Sequence, residues 1–326
     1  MFKPTKGILV IAVLALLLTA CQSVNDNTVS DQDASASDIQ SDEAATAAST
    51  TINQPPVEPI IIREGNTVKI EMTSQVTDIE IAKGVTYNAW TFNGTVPGPV
   101  IRVKEGDTIE FTLKNLDPKI PHSMDFHAVH AAPSKKFIDV MPNEQGTFVY
   151  PANTPGVFMY HCGTQPVLAH IANGMYGTII VEPTDGYPTD AEIDHEYTIV
   201  QSEWYTENDF HAMLNEEPEY VVFNGDNFSL HQQPLTAQVG DRVRIYFVNA
   251  GPNELSSFHV VGTIFDRVYA DGNPANVQEG VQTVLVPAGG GTVVEFTVTE
   301  AGEYMLVTHQ FNHATKGATA SLVVTE

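Results

Sequence analysis

One thiol, two imidazoles and a thioether stand in this chain at a spacing that suits a soft metal. Cys162 is followed after seven residues by His170 and after four more by Met175, while His122 lies forty residues upstream of the thiol. Two His, one Cys and one Met form the donor set of a blue-copper centre, trigonal His2Cys with a long axial Met. Thiolate and thioether favour Cu(I), and imidazole accepts both oxidation states. A β-scaffold that fixes all four keeps the rearrangement on one-electron transfer small. The chain has 2 cysteines, and Cys21 closes an export-signal pattern. Cys162 is therefore left without an intramolecular disulfide partner in an oxidising compartment, and a lone exported thiol calls for a chemical role.

Three further histidines occupy telling places. His127 comes five residues after His122, His161 directly precedes Cys162, and His309 directly follows Thr308. Successive strand residues face opposite sides. His161 is thus expected to point away from the Cys162 centre toward a second site, so that two adjacent ligands wire two metals together covalently.

The elements that must hold these residues read as all-β. Short runs of Val, Ile, Thr, Phe and Tyr are punctuated by Gly, Pro, Asn and Asp, with few windows of helical period. The run Gly106-Asp-Thr-Ile-Glu-Phe-Thr-Leu-Lys-Asn115 is echoed by Gly240-Asp-Arg-Val-Arg-Ile-Tyr-Phe-Val-Asn249, and Gly156-Val-Phe-Met-Tyr-His-Cys162 by Gly302-Glu-Tyr-Met-Leu-Val-Thr308. Closing β-rich runs follow at 177–182 and 317–325. The economical account is two homologous β-sandwiches, at about 57–184 and 192–326, joined through Pro183-Thr-Asp-Gly-Tyr-Pro188. Aligning the echoes sets Thr308 where the first domain has Cys162, so only the first domain can use a thiol.

The N-terminal end supplies Lys3, Lys6, an apolar run from Gly7 to Leu18 and then Leu18-Thr-Ala-Cys21, the order of an export signal over residues 1–20. The apolar run is too short for a membrane span, which needs roughly 20 residues. Leu-Thr-Ala-Cys resembles a bacterial lipobox. That resemblance implies cleavage before Cys21, acylation of its thiol and a membrane-anchored lipoprotein on the periplasmic side or surface, with Gln22 favouring the outer membrane. Residues 21–56 are rich in Ser, Ala, Thr and acid without Lys or Arg, and are expected to form a disordered tether. A net charge of -25 argues against nucleic-acid binding.

Several segments together carry a family resemblance: Pro121-His-Ser-Met-Asp-Phe-His127, Tyr160-His-Cys162, His170-Ile-Ala-Asn-Gly-Met175, Ser256-Ser-Phe-His259, and Val281-Gln-Thr followed by Pro287-Ala-Gly-Gly. They resemble the copper-containing nitrite reductases, and the Cys162–His170 loop is similar to the lipoprotein branch of that family. The resemblance implies two tandem cupredoxin-like Greek-key domains. It implies type 1 copper on His122, Cys162, His170 and Met175, and type 2 copper on His127, His161 and His309. It further implies catalytic Asp125 and His259 flanking nitrite, and Val261 shaping the pocket. A homotrimer in which a neighbouring chain supplies His309 and His259, and a small electron-donor protein (a cytochrome or cupredoxin), complete what it implies. The expected reaction is reduction of nitrite to nitric oxide, with the electron passing from type 1 copper through Cys162–His161 to type 2 copper.

The segment Thr308-His309-Gln-Phe-Asn-His313 offers two candidates for the third type 2 ligand. His309 is preferred because it abuts a strand end, whereas His313 is expected in a variable loop. His130, His195, His211, His231 and His313 have no part in this scheme and are expected to be solvated or structural. Two rival readings need other features. A laccase-like oxidase would carry paired His-x-His motifs, but Cys162 is followed by Gly163, and His127-Ala-Val-His130 is the nearest approach to such a pair. A pure cupredoxin electron carrier would leave His127, His309 and the second domain unexplained.

Overall fold

The computed structural model describes residues 58–326. The expected signal segment, acylated Cys21 and tether lie outside the described residues, and among the described residues no helix is long and apolar enough to cross a membrane.

Strands with alternating burial build each half. Asp107–Asn115 buries every second side chain, the period-2 signature of a sheet with one face on a core. In the first half, one sheet joins Ile60–Glu64, Thr67–Ala82, Asp107–Asn115 and Gln145–Ala152, with Val85–Phe92 also paired to Thr67–Ala82. The other sheet runs Ile101–Lys104, Tyr176–Glu182, Gly156–His161, Asp125–Phe126. Each sheet contains one parallel pairing, Thr67–Ala82 with Asp107–Asn115 and Ile101–Lys104 with Tyr176–Glu182. The second half repeats this mixture: His195–Trp204 lies parallel to Arg242–Gly251, and Leu235–Gln238 parallel to Thr319–Thr325. Both halves are cupredoxin-like sandwiches, as the resemblance implied.

The repeat extends to individual hydrogen bonds. Asn115 Nδ2 donates to the Ile120 and Val140 carbonyls, and Asn249 Nδ2 to the Glu254 and Val286 carbonyls. Gly106 N–H donates to Ala152 O as Gly240 N–H does to Val298 O. Asp125 pairs with His161 as His259 pairs with Val307. Ser123 N–H donates to Cys162 Sγ (3.3 Å) and Ser257 N–H to Thr308 Oγ1 (3.0 Å), so Thr308 does occupy the place of Cys162.

Strand register overturns the expected placement of His313 in a variable loop. Tyr160 pairs with Gly177 and Leu306 with Ala320, so Gly317 matches Gly174. Both of these glycines have left-handed backbone, at φ +112° and +122°, which side chains with a Cβ rarely adopt. In this register Ala318 stands at Met175 and His313 at His170. Cys162 N–H and Met175 N–H donate to Met175 O and His170 O, while Thr308 N–H and Ala318 N–H donate to Ala318 O and His313 O. His313 is not in a loop. It is buried in the short helix Phe311–Ala314, with Nε2 3.4 Å from Glu254.

Strand Gly156–His161 separates two cores. Tyr160 and Cys162 join the core of the first domain. Val157 and Met159 turn the other way and pack with Val200, Trp204, Tyr246 and Val293 of the second domain. His161 shares the parity of Val157 and Met159, so alternation at one strand end divides its chemistry between two faces. The expected linker is anchored through Tyr187, which is buried and whose Oη donates to Gly272 O.

Candidate metal centres

Cys162, His122 and His170 converge at the end of the first sandwich. Cys162 Sγ lies 3.2 Å from His170 Nδ1 and 3.9 Å from His122 Nδ1, and the two Nδ1 atoms are 3.3 Å apart. All three residues are buried, and Met175 is fully buried in the same cluster as Cys162. The backbone brings Met175 there: Cys162 N–H donates to Met175 O, and Met175 N–H to His170 O. His122 is anchored by reciprocal backbone bonds with Val140.

Burial makes the imidazoles poor bases. It pushes His170 down to about 4 and lowers His122 as well, so both present neutral lone pairs. Burial also pushes the Cys162 thiol up. A buried thiolate therefore calls for a cation, and a soft metal supplies one.

The second cluster sits across the strand. His127 Nε2 and His161 Nε2 face each other at 3.0 Å, with Asp125 Oδ2 3.9 Å from His161 Nε2. The other ring nitrogens are engaged. His127 Nδ1 is 3.0 Å from the Gly289 carbonyl, and His161 Nδ1 is 2.9 Å from the Cys162 carbonyl. Carbonyls only accept, so both Nδ1 atoms carry hydrogen, and in the neutral form of the two rings both Nε2 atoms turn lone pairs toward one point. Two lone pairs at that distance repel unless a cation lies between them. Both donor groups therefore fit copper: thiolate, thioether and imidazole at one, neutral imidazoles beside a carboxylate at the other.

His309 and His259 lie together but apart from this cluster. Their ring centroids are 5.8 Å apart, and neither belongs to the Asp125, His127, His161 donor group. His309 is exposed at the strand end, held by its N–H to Ser257 O and by the Phe311 ring. Val261 is also exposed, and its N–H donates to Met305 O. The structure thus gathers seven of the expected residues, Met175 among them, into two groups and leaves His309, His259 and Val261 on a face of the second domain. Among the remaining histidines, His195 pairs with Asp241, His231 bonds Ser321 and Thr319, and His130 and His211 are exposed.

Several supporting residues escaped the sequence reading. Trp90 packs edge-on against His170, with centroids 4.8 Å apart. Ser123 Oγ accepts from Gly163 N–H and Thr164 Oγ1, tying down the turn after Cys162. Gly289, at φ +76°, places the carbonyl that orients His127, and a Cβ there would meet His127 Cε1 at 3.2 Å. Buried Asp117 places Oδ2 3.2 Å from His122 Nε2. Burial alone would raise its carboxyl, but hydrogen bonds from Lys119 and Ile120 N–H and from His122 hold it below the usual range. An Asn-x-Asp pattern before Pro118 was the available signal for this turn, and it carries no hint of a metal.

Two sandwiches with metal-donor clusters at one strand end define a protein of the multicopper oxidase class, and family models of the multicopper oxidases match residues 73–186 and 201–326. The copper-containing nitrite reductase of Neisseria gonorrhoeae is 42% identical over 84% of this chain and 73% of its own length. That of Pseudomonas chlororaphis is 32% identical over 79% and 77%. The structure of the copper nitrite reductase from Nitrosomonas europaea superposes with a TM-score of 0.76 at 45% identity, covering 80% of this chain and 94% of that one. The chain belongs to the copper-containing nitrite reductase family.

Proposed function

We propose that this protein reduces nitrite to nitric oxide, NO2⁻ + e⁻ + 2H⁺ → NO + H2O. The observation that carries this reading is the His161–Cys162 dipeptide, whose two side chains enter separate donor clusters on opposite faces of one strand. His122, Cys162, His170 and Met175 would hold type 1 copper, and His127 and His161, with His309 of a neighbouring copy, type 2 copper. Bound copper supplies one-electron redox chemistry at the first cluster and an open position for an oxyanion at the second. The chain's own residues do the rest. The peptide between His161 and Cys162 is the covalent path between the two ligand sets. Asp125 would give a proton beside that position, a role supported by its partial burial and its 3.9 Å distance from His161 Nε2. Gly289 and Cys162 carbonyls fix both imidazoles with Nε2 outward.

A homotrimer with cyclic symmetry completes the second cluster in this reading. Its support is the separation of His309 and His259 from His127 and His161 within one chain, and the apolar surface around them: Val261, Leu285, Met305 and Phe311 are all exposed. Such side chains on a closed sandwich suit burial against a neighbour. The Leu-Thr-Ala-Cys21 segment supports export as a lipoprotein, with the catalyst tethered at a membrane and fed electrons by a small donor protein. Copper analysis with assay of nitric oxide release tests the whole reading. Two coppers per chain and nitrite-dependent nitric oxide are expected. Four coppers with dioxygen consumption would mean a laccase-like oxidase, and one copper without turnover an electron carrier.

A further inference from the structure

The internal repeat separates what the fold requires from what the metal requires, and it singles out Asp117. Asn115 and Asn249 are equivalent, and each accepts from the backbone N–H two residues on, that of Asp117 in one domain and Gly251 in the other. Each also donates to the matching pair of carbonyls. The same turn is therefore built once with an aspartate and once with a glycine, so the turn itself does not need the carboxylate. Where the carboxylate is present, the residue five positions on is His122; where it is absent, that residue is Ser256. The carboxylate and the imidazole occur together, and only in the domain that has Cys162.

The contact is specific. Asp117 and His122 are both buried, with Oδ2 3.2 Å from Nε2, while Oδ1 accepts from Lys119 and Ile120 N–H. His122 Nδ1 faces Cys162 Sγ and His170 Nδ1. Nε2–H thus donates to a carboxylate while Nδ1 serves as the ligand atom, an outer partner that raises the basicity of a ligating imidazole. A more basic, partly anionic imidazole favours the higher charge of Cu(II) over Cu(I).

We infer that Asp117 is a positioning residue that lowers the reduction potential of the Cys162 centre, and so sets how readily it accepts an electron from a donor and passes it on. This rests on the reading of the Cys162 cluster as type 1 copper.

Asp117→Asn and Asp117→Gly, the latter reproducing the second domain's turn, test it in the intact copper-loaded protein. Redox titration of the visible band is expected to move upward in both variants, by a tenfold change in the Cu(II)/Cu(I) ratio at fixed donor potential, or about 59 mV for one electron. Pulsed electron spin resonance is expected to show a changed coupling to the remote nitrogen of one imidazole. Coloured variants whose potential and remote-nitrogen coupling match the parent would overturn the inference. If either variant loses copper, the other is titrated; loss in both, with the fold retained, would make Asp117 a requirement for binding and overturn the tuning role. Failure of the type 1 reading is separate, since it would appear as a parent protein without a coloured centre.

Discussion

Replacing Asn115 by Ala removes the hub of the turn that delivers Asp117 and His122. Asn115 makes four hydrogen bonds: it donates to Ile120 O and Val140 O, and accepts from Asp117 N–H and Ser74 Oγ. At a net value of about 1 kcal/mol each, Asn115→Ala costs about 4 kcal/mol. Asn249→Ala removes three such bonds, to Glu254 O, Val286 O and Gly251 N–H, and costs about 3 kcal/mol. At roughly 3 °C per kcal/mol, both unfolding midpoints should fall by about 10 °C. The consequences for the metal differ. Val140 is bonded reciprocally to His122, so loosening it displaces a ligand, and copper affinity at the coloured centre should drop by about tenfold or more in Asn115→Ala alone. Thermal melts with visible copper titrations compare the two variants. Equal bleaching of both, or an Asn115→Ala protein as stable as the parent, would refute the reasoning.

Asp125→Asn keeps shape but loses a proton donor, so turnover should fall by about 10²-fold or more with both coppers retained; unchanged turnover across pH would clear Asp125. His309→Ala should lose the second copper and turnover but keep the colour, whereas His313→Ala, which disturbs the buried pair with Glu254, should cost stability and leave both metals; the reverse pattern would undo the domain 2 assignment. Burial pushes the Glu203 carboxyl up to about 7. The folded state then holds its proton more tightly than the unfolded chain, so this group's favourable contribution, largest below about pH 4.5, is lost as pH rises to about 7. Stability measured at pH 5 and pH 8 should differ less in Glu203→Gln than in the parent, and an identical difference would exclude Glu203 as the source. Cys21→Ser should leave an active soluble protein on cell fractionation, and continued membrane association would contradict anchoring through that thiol.

Much of this was legible in the sequence because ligands and repeats share one dimension. The Cys162, His170, Met175 spacing lies on a single strand-helix-strand return, and the placement of His161 followed from side-chain alternation. The two Gly-Asp strands announced the duplication. The position of His313 was hidden because backbone conformation and strand pairing, which place Gly317 at Gly174 and so His313 at His170, cannot be read from residue identity. Hydrogen-bond register, rather than residue identity, revealed that the second domain keeps one histidine of the copper pocket while Ser256, Thr308 and Ala318 replace the other donors. Asp117, Trp90 and Gly289 were illegible for a related reason. Trp90 and Gly289 act through contacts distant in sequence, Gly289 reaching His127 from the other domain, and Asp117 meets His122 only through the turn that Asn115 builds.

A single-turnover experiment tests the central claim most directly. The coloured centre is reduced without dioxygen until its band is bleached, excess reductant is removed, and nitrite is added while absorbance and nitric oxide are followed together. The band should return, with one nitric oxide released per electron stored, in the parent but not in His309→Ala. A centre that stays bleached with nitrite, or recovers its colour only when dioxygen is admitted, would contradict the account.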